Sequence, residues 1–144
     1  MNRPVPSTPD TEADERAVLR TTTQATAAEA TRLRRVFAAW LARDVGDDDT
    51  ADALVLSVYE ALANAAEHAY AGSVTGPMHL EAARHGASTI RVTVADEGRW
   101  RFGRTGSFRG RGLPTMRKLL DAVHVVRGAR GTRVELSTAV APPR

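Results

Sequence analysis

The chain has 144 residues, 42% of them hydrophobic and 26% charged, with a net charge of +3 and no cysteine. Those figures describe one ordinary globular domain long enough to bury a core, and they exclude disulfides and thiolate metal sites. No apolar run approaches the roughly 20 residues of a membrane span, and the polar, acidic N-terminus lacks a signal-peptide core, so a cytoplasmic protein with no membrane partner is expected.

Residues 1–16 hold three prolines and Asp10, Glu12, Asp14 and Glu15 with hardly a bulky apolar side chain, which predicts a flexible tail. The domain proper is expected over 17–138, with a short C-terminal tail over 139–144. Threonine-rich Ala17 to Thr23 reads as an edge strand. Thr26 followed by Glu29 has the form of a capping box. Behind it Leu33, Val36, Phe37, Trp40 and Leu41 recur at helical spacing, predicting an amphipathic helix that ends near Asp44 to Gly46. Asp47, Asp48, Asp49 and Thr50 are N-cap candidates for a second helix. Its apolar stripe is Leu54, Val55, Val58, Leu62 and Ala65, and its end is expected at Gly72, where a left-handed cap is easiest for glycine.

Beyond Gly76-Pro77 the period changes from helix to strand. Met78, Leu80 and Ala82 alternate with polar neighbours, Gly86 marks a turn, and Ile90, Val92 and Val94 alternate again, predicting two antiparallel strands. Residues 99–112, with four glycines, read as a flexible loop. Leu113, Met116, Leu119 and Leu120 predict a short helix with Pro114 at its first position. Val123, Val125 and Val126, then Val134 and Leu136, predict a closing strand pair around Gly128 to Gly131. The fold class is α+β: a mostly antiparallel sheet with helices on one face.

The second helix carries more than a core stripe. Glu60, Asn64 and His68 recur every four residues and share one face. An amide oxygen at Asn64 can serve a hard cation such as Mg²⁺, which takes few protein ligands and fills the rest with phosphates and water. Glu60, one turn earlier, stands where a general base would be useful. The competing reading is a solvated helix face. Glu67 fits neither stripe, His68 reads as a packing or hydrogen-bonding residue, and His79, His85 and His124 have no metal spacing.

Asp96 ends an alternating strand and Gly98 follows it. A carboxylate there can accept from an exocyclic amine while the glycine lets a ring approach the backbone; Asp-x-Gly is also simply a common turn. Gly110-Arg111-Gly112 opens a helix, so free N–H groups and the positive dipole end suit a phosphate. No acidic residue lies between Glu97 and Asp121, an interval holding seven arginines and lysines including Arg109 and Arg111, so the rest of the chain sums to −4. Such concentrated charge suits a compact polyphosphate better than a nucleic-acid backbone. The segment is neither a Walker loop, lacking Gly-Lys-Ser/Thr, nor a dinucleotide fingerprint, lacking a βαβ unit. Gly131-Thr132 by itself is a hairpin turn.

Taken in order, Glu-x-x-x-Asn, Asp-x-Gly, Gly-x-Gly and Gly-Thr resemble the N, G1, G2 and G3 boxes of the GHKL ATPase superfamily. The stretches EALANAAEHAY, DEG and GRGLPTMRKLLDAV look like the anti-sigma factor serine/threonine kinases of the RsbW/SpoIIAB type. The resemblance implies a Bergerat-type two-layer α/β sandwich that binds ATP with Mg²⁺. It implies a kinase that holds a sigma factor inactive and phosphorylates an anti-anti-sigma partner of the STAS type. Carried over by motif, Glu60 is the general base, Asn64 the Mg²⁺ ligand, and Asp96 and Gly98 the adenine contacts. Gly110 and Gly112 bind phosphates with Arg109 and Arg111 beside them, and Thr132 supports the adenine pocket. A homodimer also follows from it; direct nucleic-acid contact is not expected, because aromatic stacking residues are sparse in the arginine loop and the phosphates of ATP account for its charge.

One position departs from the pattern, since Trp100 stands where many relatives have another glycine. The 16-residue tail is too short to hold a dimerisation helix pair with a phosphoacceptor histidine, so a histidine kinase is not the expectation. The alternative is a non-catalytic ATP-binding module that works by protein–protein sequestration alone.

Overall fold

The computed structural model describes residues 18–43, 45, 49–99 and 112–140. Expectations for the two tails beyond these limits, for Asp44, Gly46, Asp47 and Asp48, for most of the 99–112 loop with Trp100, and for Arg109, Gly110 and Arg111 therefore lie outside the described residues.

Strand β1 (Leu19–Gln24) leads into helix α1 (Ala27–Ala42) and helix α2 (Asp49–His68). Strands β2 (Pro77–His85) and β3 (Thr89–Asp96) follow, then helix α3 (Gly112–Leu119), β4 (Ala122–Gly128) and β5 (Gly131–Ala139). All strand pairs are antiparallel, in the order β1-β2-β3-β5-β4. Both expected turns form, with Gly86 at φ +62° and Gly131 at φ +139° in the region that favours glycine. Val140 closes the sheet's far end by donating its N–H to Ser88 at 2.8 Å.

Alternation sorts the strands into two faces. Met78, Leu80 and Ala82, Ile90, Val92 and Val94, and Val134 and Leu136 all turn inward and are buried. They meet Leu33, Phe37 and Leu41 of α1 and Leu54, Val58, Leu62 and Ala65 of α2 in one core. The helices thus cover one face of the sheet, as the two periodicities require. The other face is polar, with pairs such as Arg20–Glu81 (3.4 Å) and Arg133–Glu135 (2.8 Å).

Three local expectations are corrected. Thr26 caps α1 by accepting from the Glu29 N–H at 3.1 Å, but the Glu29 carboxylate pairs with Arg32 instead of reaching back. The Thr26 N–H is already taken by Gln24, so only half of the capping box is made. Helix α2 stops at His68 rather than Gly72: Tyr70 turns toward the strands, and the left-handed Gly72 (φ +79°) lies in the turn beyond. Pro114 is the third residue of α3, where its missing N–H would have had no intrahelical partner anyway.

Candidate functional site

Six polar or charged side chains are buried among the described residues, and three are ones the boxes single out: Asn64 (7% exposed), Asp96 (5%) and Thr132 (5%). Burying such groups costs free energy that packing alone does not repay. Their positions explain how they come together. Asn64 lies on the buried side of α2, and Glu60, half-buried, stands one turn before it, about 6 Å along the helix axis. Asp96 is the last residue of β3, in register opposite Thr132 at the start of β5. Both side chains point toward the helix layer, and directly opposed residues have Cβ atoms roughly 5 Å apart.

The segment after Asp96 is held tightly. Asp96 Oδ1 accepts from the Gly98 N–H at 3.1 Å, folding residues 96–98 into an Asx turn. Gly98 sits so close to the residue following α2 that a Cβ there would lie 1.9 Å from the Ala69 carbonyl oxygen. This contact ties the turn to the end of the helix that carries Asn64, five residues upstream and so about 7–8 Å along the axis. Gly131 makes the matching approach from β5, since a Cβ there would lie 1.9 Å from the Asp96 carbonyl oxygen. Of the Gly131-Thr132 pair the glycine is thus as constrained as the threonine, which the sequence reading passed over.

Tyr70 was missed as well. Its hydroxyl donates to the Pro77 carbonyl at 2.5 Å and accepts the Glu97 N–H at 3.0 Å. Its ring lies against both Gly76 and Gly98, where added Cβ atoms would come within 2.5 and 3.0 Å of ring carbons. Burial pushes its phenol above the ordinary range, with Asp96 and Glu97 adding to the shift and the Glu97 hydrogen bond opposing it. From the helix-free side, Glu97 faces His79 Nε2 at 3.5 Å, and His79 Nδ1 lies 2.9 Å from Thr22 Oγ1. A glycine two residues after a strand-ending aspartate, with a tyrosine just past a helix, was the available signal.

Gly112 opens α3, which packs against α2 and β4 through buried Met116. His68, half-buried, lies 3.9 Å from the exposed Glu67. Among the described residues no cluster of three or more His, Asp or Glu could hold a metal unaided. A Mg²⁺ at Asn64 would therefore depend on ligand oxygens, which is that ion's habit. A groove of about 380 Å³ runs over the helix-free face past Glu81, His124 and Glu135 and touches none of the box residues. A smaller recess of about 240 Å³ reaches Asp96, Gly131 and Thr132. No helix of the described residues is long and apolar enough to cross a membrane.

Residues 23–138 match the model of the histidine kinase-like ATPase domain. The chain belongs to that family. Its fold is similar to the crystal structure of the RsbU and RsbW domains of Rv1364c from Mycobacterium tuberculosis, with 30% identity and a TM-score of 0.70 over 88% of this chain. It is also similar to the histidine kinase domain of the blue-light activated histidine kinase EL346 from Erythrobacter litoralis, with 28% identity and a TM-score of 0.55 over 64% of this chain. The chain spans 34% of the first of these proteins and 45% of the second. The two-layer sandwich expected from the sequence is therefore that of a histidine kinase-like ATPase domain.

Proposed function

We propose that this histidine kinase-like ATPase domain is a protein serine/threonine kinase that acts as an anti-sigma factor. In this reading it phosphorylates an anti-anti-sigma protein of the STAS type and sequesters a sigma factor as a homodimer. The observation that carries the reading is the burial of Asp96 and Thr132 opposite each other across the β3–β5 seam together with that of Asn64 on α2. These residues fit a nucleotide: a buried carboxylate to accept from an exocyclic amine, a hydroxyl opposite it across the β3–β5 seam, and an amide oxygen for a cation, while Gly98 lets the turn close on the end of α2. Bound Mg²⁺-ATP would supply the phosphoryl group and the charge neutralisation that its transfer needs.

The chain's own residues would do the rest. Asp96, Gly98 and Thr132 would orient the base. Asn64 would hold Mg²⁺, and Gly110, Gly112, Arg109 and Arg111 would bind phosphates. Glu60, half-buried one turn from Asn64, would hold the acceptor hydroxyl and take its proton. The test is phosphate transfer to a STAS protein, alongside calorimetry of ATP with and without Mg²⁺. Glu60→Ala should slow transfer about 10²–10⁴-fold while ATP still binds, and Asn64→Ala should remove the magnesium dependence of binding. Transfer unchanged in Glu60→Ala would sink the kinase assignment. ATP binding and sigma-factor capture without transfer would establish the non-catalytic module instead.

A further inference from the structure

We propose that Tyr70 is the positioning residue that sets base selectivity at this site, acting through the Glu97 peptide on the Asp96 carboxylate. The inference rests on the nucleotide reading above. A phenol can donate and accept at once, and Tyr70 does both, giving its proton to Pro77 and taking the N–H of Glu97. Pro77 opens β2, and the next residue, Met78, pairs in register with Asp96. One hydroxyl thus joins the entry of β2 to the exit of β3 beneath the chain that leaves α2. The ring, lodged between Gly76 and Gly98, sets how far apart those segments stand.

This bridge governs the orientation of a carboxylate. Of the two N–H groups after Asp96, that of Glu97 is held by Tyr70 and that of Gly98 by Asp96 Oδ1. Releasing the Glu97 peptide would let the turn rotate and carry the Asp96 carboxylate with it. A fixed carboxylate accepts from the exocyclic amine of adenine and repels the carbonyl oxygen that guanine presents in its place. A site built to pair one polar group rejects the analogue lacking it, and it loses that power when the pairing group wanders. Tyr70 would therefore act on base discrimination and leave the phosphate end, served by Asn64 and α3, untouched.

The experiment compares ATP and GTP binding by calorimetry in the wild type and in Tyr70→Phe, which keeps the ring and deletes the bridge. The expected result is ATP affinity weakened about tenfold, the loss of one orienting hydrogen bond. GTP affinity and magnesium dependence should stay unchanged, so that the preference for ATP shrinks by the same factor. Equal weakening of both nucleotides would make Tyr70 a structural post only and overturn the proposal. An intact preference in Tyr70→Phe would overturn it while leaving the nucleotide site standing. A wild type that binds neither nucleotide would instead bring down the nucleotide reading itself. Should Tyr70→Phe fail to fold, amide exchange of Glu97 in the wild type decides: ATP should slow it more than its β3 neighbours, and no selective slowing would refute the role.

Discussion

Gly98→Ala is the sharpest perturbation the site offers. The added Cβ would fall 1.9 Å from the Ala69 carbonyl oxygen and 2.5 Å from its carbon, whereas ordinary contact begins near 3.4 Å. The turn and the end of α2 must therefore separate by roughly 1.5 Å, and both are backbone, so no flexible side chain can absorb the shift. Overpacking of this kind costs about 1–3 kcal/mol. Losing the Gly98 to Asp96 hydrogen bond adds about 1 kcal/mol. A total of about 2–4 kcal/mol should lower Tm by roughly 8–16 °C at about 4 °C per kcal/mol for a domain of this size. Because the displaced turn carries Asp96, ATP affinity should fall about 10–100-fold, read by calorimetry at a temperature where the variant is folded. Gly128→Ala is the control: a Cβ there meets nothing within 4 Å, so its stability should match the wild type to within about 0.5 kcal/mol. Wild-type Tm and ATP affinity in Gly98→Ala would refute the tight approach of turn and helix and the site built on it.

Two further outcomes follow from the local structure. Thr26→Ala removes the oxygen that accepts the Glu29 N–H and should cost about 1 kcal/mol in denaturant unfolding, with ATP affinity unaffected. Loss of ATP binding in that variant would contradict the separation of cap and site. Tyr70 has a folded-state pKa raised by burial, so the stability held by its neutral phenol is complete below the unfolded value of about 10. That stability disappears as pH climbs through the higher folded value. In an ultraviolet titration the tyrosinate transition lost in Tyr70→Phe should therefore lie above about pH 10; loss of a transition at or below that pH would refute it.

The sequence made the framework legible because period is a direct consequence of burial. Leu33, Phe37 and Leu41 on α1, or Val92 and Val94 on β3, announce the face they hide. The pairing of Asp96 with Thr132 was legible only as an ordered set of boxes, since register between β3 and β5 is fixed by tertiary closure rather than by either strand. Tyr70 was illegible for a different reason. Its partners are backbone groups of Pro77 and Glu97, and a backbone amide leaves no mark on residue identity. Glu29 shows the reverse failure: a motif was present, but Arg32 one turn away competed for its carboxylate.

The strand order has a consequence for how the domain melts. Because β5 inserts between β3 and β4, the C-terminal hairpin is joined to the N-terminal three strands along the single seam between β3 and β5. Asp96 and Thr132 sit across that seam from each other. A ligand gripping both would work as a rivet between two halves of the sheet, binding the closed form and not the parted one. Occupancy at 100 times Kd would then add about 2.7 kcal/mol to the closure of the whole sheet. On the proposed reading, the domain's resistance to heat would then become a gauge of the nucleotide pool around it.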